Sequence, residues 1–326
     1  MYPGAAGVRA ADPRGSPVLR RHRSALACAL LLALTACTGG SGDSGGPDGA
    51  GGGSATTSSE PPPRKVYVSV GDSYATGFRP PVGGQRGGSS QDAFSHLVAE
   101  RADLRLVNLA CSGATSADLV GGADCTPGNR ALDAPETAGR TQVDAAVAEL
   151  EASAGQVGLV TVVIGGNDLI PCASQPQQAV VACATQAVTR IKANLATALP
   201  KLRAAAGDAP IVGLTYPDVF LGAWVNDEVP GGQRLAELSV TLFRDFFNTS
   251  LKAEYDKVGA RFVDVTEATG AYRPLTELVA DPAHGQIPGP VARVCELTYF
   301  CELTDVHPKP AGHEVIADGV LRAAGL

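Results

Sequence analysis

From Val66 onward, short runs of β-branched and aliphatic residues alternate with stretches whose apolar positions recur every three or four residues. VYVSV (66–70), RLVNLAC (105–111), LVTVVIG (159–165), PIVGLTY (210–216) and RFVDV (261–265) have the length and composition of strands. Between and after them, helical spacing appears over 92–102, 141–152, 177–206, 232–258 and 310–325. Strand and helix take turns, which predicts an α/β domain over 66–326 with a parallel sheet covered by helices on both faces. Near-continuous apolar strands such as VTVVIG fit such a sheet, because neither face meets water. Functional groups in this architecture collect where loops leave the carboxyl ends of the strands. Long connections fall at 112–140 and 266–309, and neither a repeat nor a second domain boundary interrupts the pattern.

The residues before Val66 read differently. Arg20, Arg21 and Arg23 precede the apolar run ALACALLLALTA (25–36), which is too short for a permanent span and fits a secretory segment. Leu34-Thr35-Ala36-Cys37 follows and resembles a bacterial lipobox, in which cleavage before the cysteine leaves its thiol to carry diacylglycerol. That resemblance implies a signal peptide over 1–36, a lipid anchor at Cys37 and a location on the outer face of the cytoplasmic membrane. Residues 37–65 are mostly Gly, Ser, Thr, Pro and Asp, a tether with little to bury.

Composition narrows the partners. Lys and Arg number 26 against 33 Asp and Glu, and no basic cluster persists beyond the N-terminus, so nucleic acid is not an expected partner. Cys111, Cys125, Cys172, Cys183, Cys295 and Cys301 remain after the two N-terminal cysteines. Six cysteines in an exported domain argue for three disulfides. Short separations favour Cys111–Cys125, Cys172–Cys183 and Cys295–Cys301, while other pairings stay open. No CxxC pair or histidine cluster argues for zinc.

Gly-Asp-Ser occurs twice. GDSGGP (42–47) matches the phrase around a protease nucleophile, yet no strand leads into Ser44 and no partner residues precede it. GDSYATG (71–77) follows a strong strand, which places Ser73 at the carboxyl edge of the sheet. NLACSGAT (108–115) follows the second strand, and its Gly113 lets a backbone N–H approach a ligand. GGND (165–168) follows the third, with Asn167 as an amide donor, and TDVHP (304–308) sets His307 beside an acid before the last helix.

These four blocks, in this order over 66–326, resemble the SGNH subgroup of the GDSL esterases and lipases. The wording NLACSGAT and the six cysteines look most like secreted Streptomyces and mycobacterial members. The resemblance implies a flavodoxin-like three-layer α/β/α sandwich with a five-stranded parallel sheet. It implies Ser73 as nucleophile, His307 as base, and an oxyanion hole formed by the Ser73 and Gly113 N–H groups with the Asn167 side chain. Tyr74 stands where the family name has leucine. The family carries its acid three residues before the histidine; here Thr304 holds that place and Asp305 lies two before. Either Asp305 or a backbone carbonyl is left to hold the imidazole.

The implied activity is hydrolysis of short or medium acyl esters or lipids through an acyl-serine, with no metal or cofactor and a monomer as the expected state. Deacetylation of an acylated glycan, acyl transfer, and an inactive binding lipoprotein are the alternatives. His22, His96, His284 and His313 lack a supporting block and read as signal, surface or packing residues. Asp72 and Asp168 read as loop braces. Phe243, Phe246 and Phe247 read as core, and Phe220 and Trp224 as core or acyl-pocket residues because they follow a strand end. Asn248-Thr249-Ser250 matches a glycosylation sequon by chance.

Overall fold

The computed structural model describes residues 63–326 except 123–124. The expected signal peptide, His22, the Cys37 anchor, Ser44 and most of the tether lie outside the described residues.

Five strands, β1 (Val66–Gly71), β2 (Arg105–Asn108), β3 (Val157–Val163), β4 (Ile211–Leu214) and β5 (Arg261–Val263), form one parallel sheet in the order β2-β1-β3-β4-β5. Every neighbouring pair is parallel, so each connection crosses back over a face of the sheet. Val68, Val70, Val160, Val162 and Val212 are fully buried, as a sheet covered on both faces requires.

Twelve helices, some of a single turn, complete the described chain. The first four are α1 (Ser73–Thr76), α2 (Phe94–Arg101), α3 (Ser116–Gly121) and α4 (Gln142–Ala152). Next come α5 (Gly166–Ala173), α6 (Gln177–Ala206), α7 (Gly232–Thr241) and α8 (Thr249–Asp256). The last are α9 (Val265–Ala268), α10 (Gly289–Leu297), α11 (Phe300–Leu303) and α12 (Pro310–Ala324). α3, α4, α6 and α8 pack as one layer, and α2 with α12 form the layer opposite. Each fully buried Leu or Ile of this core, such as Leu150, Ile191, Leu195 and Ile316, contributes about 1.5–3 kcal/mol.

Several boundaries depart from the expected ones. The helix expected over 232–258 is interrupted by a π-helical stretch, Leu242–Asn248, so it divides into α7 and α8. The fifth strand stops at Val263 because the Asp264 side chain accepts the Glu267 N–H and starts α9. The expected connection 266–309 contains a two-stranded antiparallel ribbon, β6 (Leu278–Asp281) with β7 (Gly285–Pro288), and the helices α10 and α11. Cys111–Cys125, Cys172–Cys183 and Cys295–Cys301 are disulfide-bonded, the pairs that short separation favours. Among the described residues no helix is long and apolar enough to cross a membrane.

Candidate active site

The first expected site residue stands at the end of an interior strand. β1 closes on Gly71 at φ +143°, where an added Cβ would lie 2.1 Å from the Val163 carbonyl oxygen, so only glycine makes this turn without displacement. The Gln142 carboxamide brackets the same residue: Gly71 N–H donates to Gln142 Oε1 at 2.8 Å and Gln142 Nε2 donates to the Gly71 carbonyl at 3.0 Å. Asp72 caps α1 by accepting the Tyr74 N–H at 3.0 Å, which leaves Ser73 as the first residue of a one-turn helix. Thr76 Oγ1 donates to the Ser73 carbonyl at 3.1 Å and shares a 2.7 Å hydrogen bond with Ser112 of the Gly113 loop.

Asp72 is fully enclosed. Its second carboxylate oxygen accepts the Tyr216 hydroxyl at 2.5 Å. Burial pushes the Asp72 carboxyl up to about 6, against the opposing pull of the Tyr216 and Tyr74 hydrogen bonds and of His307.

Gly113 and Asn167 come from the ends of the neighbouring strands. Gly113 takes φ +84°, and an added side chain there would meet only open space, so its backbone is presented outward. Asn167 Nδ2 donates to the Ala114 carbonyl at 2.8 Å, which fixes the amide against the Gly113 loop and leaves its second N–H for another acceptor. Asp168 behaves as a brace, accepting both the Ser116 N–H and hydroxyl at 2.8 Å.

His307 arrives from the far end of the chain, between α11 and α12. Thr304 ends α11 in the left-handed region at φ +53°, rare for a β-branched residue. The reversed turn carries Asp305 to the imidazole: its Oδ1 lies 2.7 Å from His307 Nδ1 and accepts the His307 backbone N–H at 3.0 Å. A one-residue shift of the acid is thus compensated by backbone conformation. Burial raises the Asp305 carboxyl, but the hydrogen bonds from the His307 ring and backbone outweigh it and hold the group below the usual carboxylate range. The Tyr74 hydroxyl donates to the Val306 carbonyl at 2.6 Å, and the Phe78 ring lies 4.5 Å from the imidazole. Ser73 Oγ and the imidazole are not hydrogen-bonded in this conformation.

An apolar cleft adjoins this corner, lined by Ser73, Asn167, Leu169, Phe220, Phe243 and Val306 among others; His307 is not among its lining residues, and Gly113 lines a separate cavity with Ser112 and Gln142. Phe220 is therefore a cleft residue. Trp224 is not among the residues lining it: it packs in a separate cluster with Ile287, Val291 and Val294. The remaining histidines lie elsewhere. His96 and His284 pair with Asp133 and Asp281, and buried His313 accepts the Phe94 N–H, its ring held down to about 3 by burial. Asn248 is buried with its amide donating to Asp264, Thr266 and Tyr272, so the sequon is no accessible acceptor. Among the described residues no group of three His, Cys, Asp or Glu side chains gathers as a metal site.

Gln142, Tyr216 and the Tyr74 hydroxyl carry the support of the site, and none belongs to a recognisable block by its role. Only the Tyr-for-Leu exchange after Ser73 gives a local signal of this support.

A strand-end serine and a fixed asparagine on an apolar cleft, with the Asp305–His307 pair next to its Val306 edge, fit a hydrolase of the three-layer α/β/α class. The chain belongs to the GDSL-like lipase/acylhydrolase family, whose sequence pattern matches residues 69–315. Comparison with curated proteins finds no match. Among solved structures the chain is similar to an extracellular lipase from Streptomyces rimosus, at 19% identity, TM-score 0.46, with 78% of this chain and 99% of that one covered. It is also similar to phospholipase A1 from Streptomyces albidoflavus, at 17% identity, TM-score 0.44, with 79% and 100% covered. An acetylxylan esterase from Geobacillus stearothermophilus matches at 17% identity, TM-score 0.43, with 80% and 94% covered.

Proposed function

We propose that the protein is an extracytoplasmic serine ester hydrolase, tethered to the outer face of the membrane through Cys37, that acts on acyl esters or lipids. The observation that carries the reading is the 2.7 Å Asp305–His307 pair beside a mostly apolar cleft whose polar lining is Asp72, Ser73, Tyr74, Asn167 and Tyr216. The lipobox-like Leu34–Cys37 stretch and three disulfides support the location.

In this reading Ser73 Oγ attacks the ester carbonyl while His307 takes its proton, and Asp305 holds the imidazole in the tautomer with Nδ1 protonated. The negative charge that develops on the carbonyl oxygen meets the Ser73 and Gly113 N–H groups and the free Asn167 N–H. His307 then returns the proton to the leaving alcohol, and water enters by the same route to release the acid. A cleft this apolar favours an acyl chain over an acetyl group, which would leave most of the lining uncovered.

Turnover of p-nitrophenyl butyrate by the purified protein tests the reading. Ser73→Ala is expected to remove activity by a factor on the order of 10⁶. Undiminished turnover in that variant, or inactivity of the wild type across acyl lengths, overturns it.

A further inference from the structure

Next to the cleft lies a second apolar chamber between α5, α6, α7 and the π-helical stretch. Leu169, Phe220 and Phe243 line both spaces, so these three side chains form the partition between adjoining volumes. The Phe220 and Phe243 ring centroids are 6.3 Å apart, and the rings are tilted rather than stacked. The far chamber continues along Ala184 and Val188 of α6 and Leu235 of α7.

Its chemistry specifies the occupant. Ser239 supplies the one hydroxyl on the chamber wall, and it already donates to Asp218 at 2.8 Å within a buried pair. A ligand's polar group would lose its hydration there without a partner, at a cost of roughly 1–3 kcal/mol or more. Only an apolar segment is accepted. The Cys172–Cys183 disulfide ties α5 to α6 along one wall, and the π-helical stretch carries Phe243 and Phe247 on another. An unfilled apolar space forfeits van der Waals contacts that an apolar occupant restores.

We infer that the far chamber receives the distal part of a long, unbranched acyl chain whose carbonyl lies at Ser73, so that long-chain acyl esters are the preferred substrates. This rests on the ester-hydrolase reading above and adds to it a chain-length selectivity carried by Leu169, Phe220 and Phe243 at the partition. On this inference a butyryl or acetyl group occupies the near cleft only. A chain that passes between the rings exchanges water for the Ala184 and Leu235 walls.

The test is a series of p-nitrophenyl butyrate, octanoate, dodecanoate and palmitate on the full protein, read as kcat/KM. The wild type is expected to favour dodecanoate over butyrate. Ala184→Phe and, independently, Leu235→Trp fill the chamber and are expected to lower the dodecanoate-to-butyrate ratio about tenfold or more. Wild type that prefers butyrate, or a ratio unchanged in whichever filled variant folds, overturns the inference. The two readings fail separately: butyrate turnover that survives Ser73→Ala removes the ester-hydrolase reading, whereas Ser73-dependent turnover with an unchanged ratio removes only the chamber.

Discussion

Ser73 stands at the end of an interior strand, while His307 stands on a loop between two helices at the other end of the chain. The serine corner is fixed by the sheet itself: Asp72 N–H bonds to the Val163 carbonyl at 3.1 Å, Gln142 clamps Gly71, and Asp72 caps the turn. The histidine loop has no strand beneath it. It is held by one short antiparallel bridge, in which Tyr299 N–H donates to the His307 carbonyl at 3.0 Å and Lys309 N–H to the Leu297 carbonyl at 2.8 Å, and by a left-handed Thr304, the Asp305 carboxylate, the short Cys295–Cys301 loop and one hydroxyl from the serine's own helix. The place of Ser73 is thus a consequence of the sheet, whereas the place of His307 depends on one short backbone bridge and a few side chains. Damage on the histidine side should therefore reach activity before it reaches stability.

Asp305→Asn breaks the comparison most directly. It replaces the carboxylate at Nδ1–H with a neutral amide that can accept from or donate to the ring and so no longer fixes its tautomer, and kcat is expected to fall roughly 10²–10⁴-fold with the melting temperature little changed. Near-full activity in that variant would mean that the imidazole is held by another group. Tyr74→Phe is milder. It leaves the Val306 carbonyl without its partner, costing about 1–3 kcal/mol in stability, and it loosens the loop one residue before His307. A roughly tenfold loss in kcat with KM unchanged is expected, because small misplacements of a catalytic group are costly. Loss of stability alone, with kcat intact, would show that the hydroxyl does not position the base.

The smallest effect concerns pH, where the two sides have opposite signs. Asp72 titrates higher in the folded protein than in the unfolded chain, so between about pH 4 and 6 the folded state binds more protons and stability falls as pH rises. Asp305 is shifted downward; its contribution is present above the ordinary carboxylate range and is lost as pH falls through its lowered value. Asp72→Asn should flatten the decline between pH 4 and 6 by on the order of 1–3 kcal/mol in denaturant melts. Asp218, pushed by burial up to about 7, continues the decline at higher pH and remains in that variant. An unaltered pH profile would place the Asp72 shift elsewhere.

The strands and the longer helices are legible because apolar runs such as LVTVVIG and the spacing in 310–325 belong to buried elements of ordinary period, whereas short helices such as α1, α3 and α9 give no such signal. The π-helical stretch is not legible either, since its extra residue leaves the apolar spacing close to that of an uninterrupted helix. Segment 266–309 hid its ribbon because β6 is exposed and carries no alternating pattern. In the site, Ser73, Gly113 and Asn167 could be placed from the strands that precede them. Gln142 and Tyr216 act over separations of 71 and 144 residues, and no local pattern announces such contacts. The Asp305 geometry depended on the left-handed turn at Thr304, a conformation that a threonine in a sequence gives no reason to expect.

Trp224 is the chain's single tryptophan, and it belongs to the small cluster with Ile287, Val291 and Val294 rather than to the sheet core. Its emission therefore reports on the segment that follows β4 and not on the sheet. A fluorescence transition that precedes the loss of helical circular dichroism would mean that this outlying cluster melts as its own cooperative unit. The protein carries, in one indole, a built-in spectroscopic reporter for the part of the fold beside its cleft.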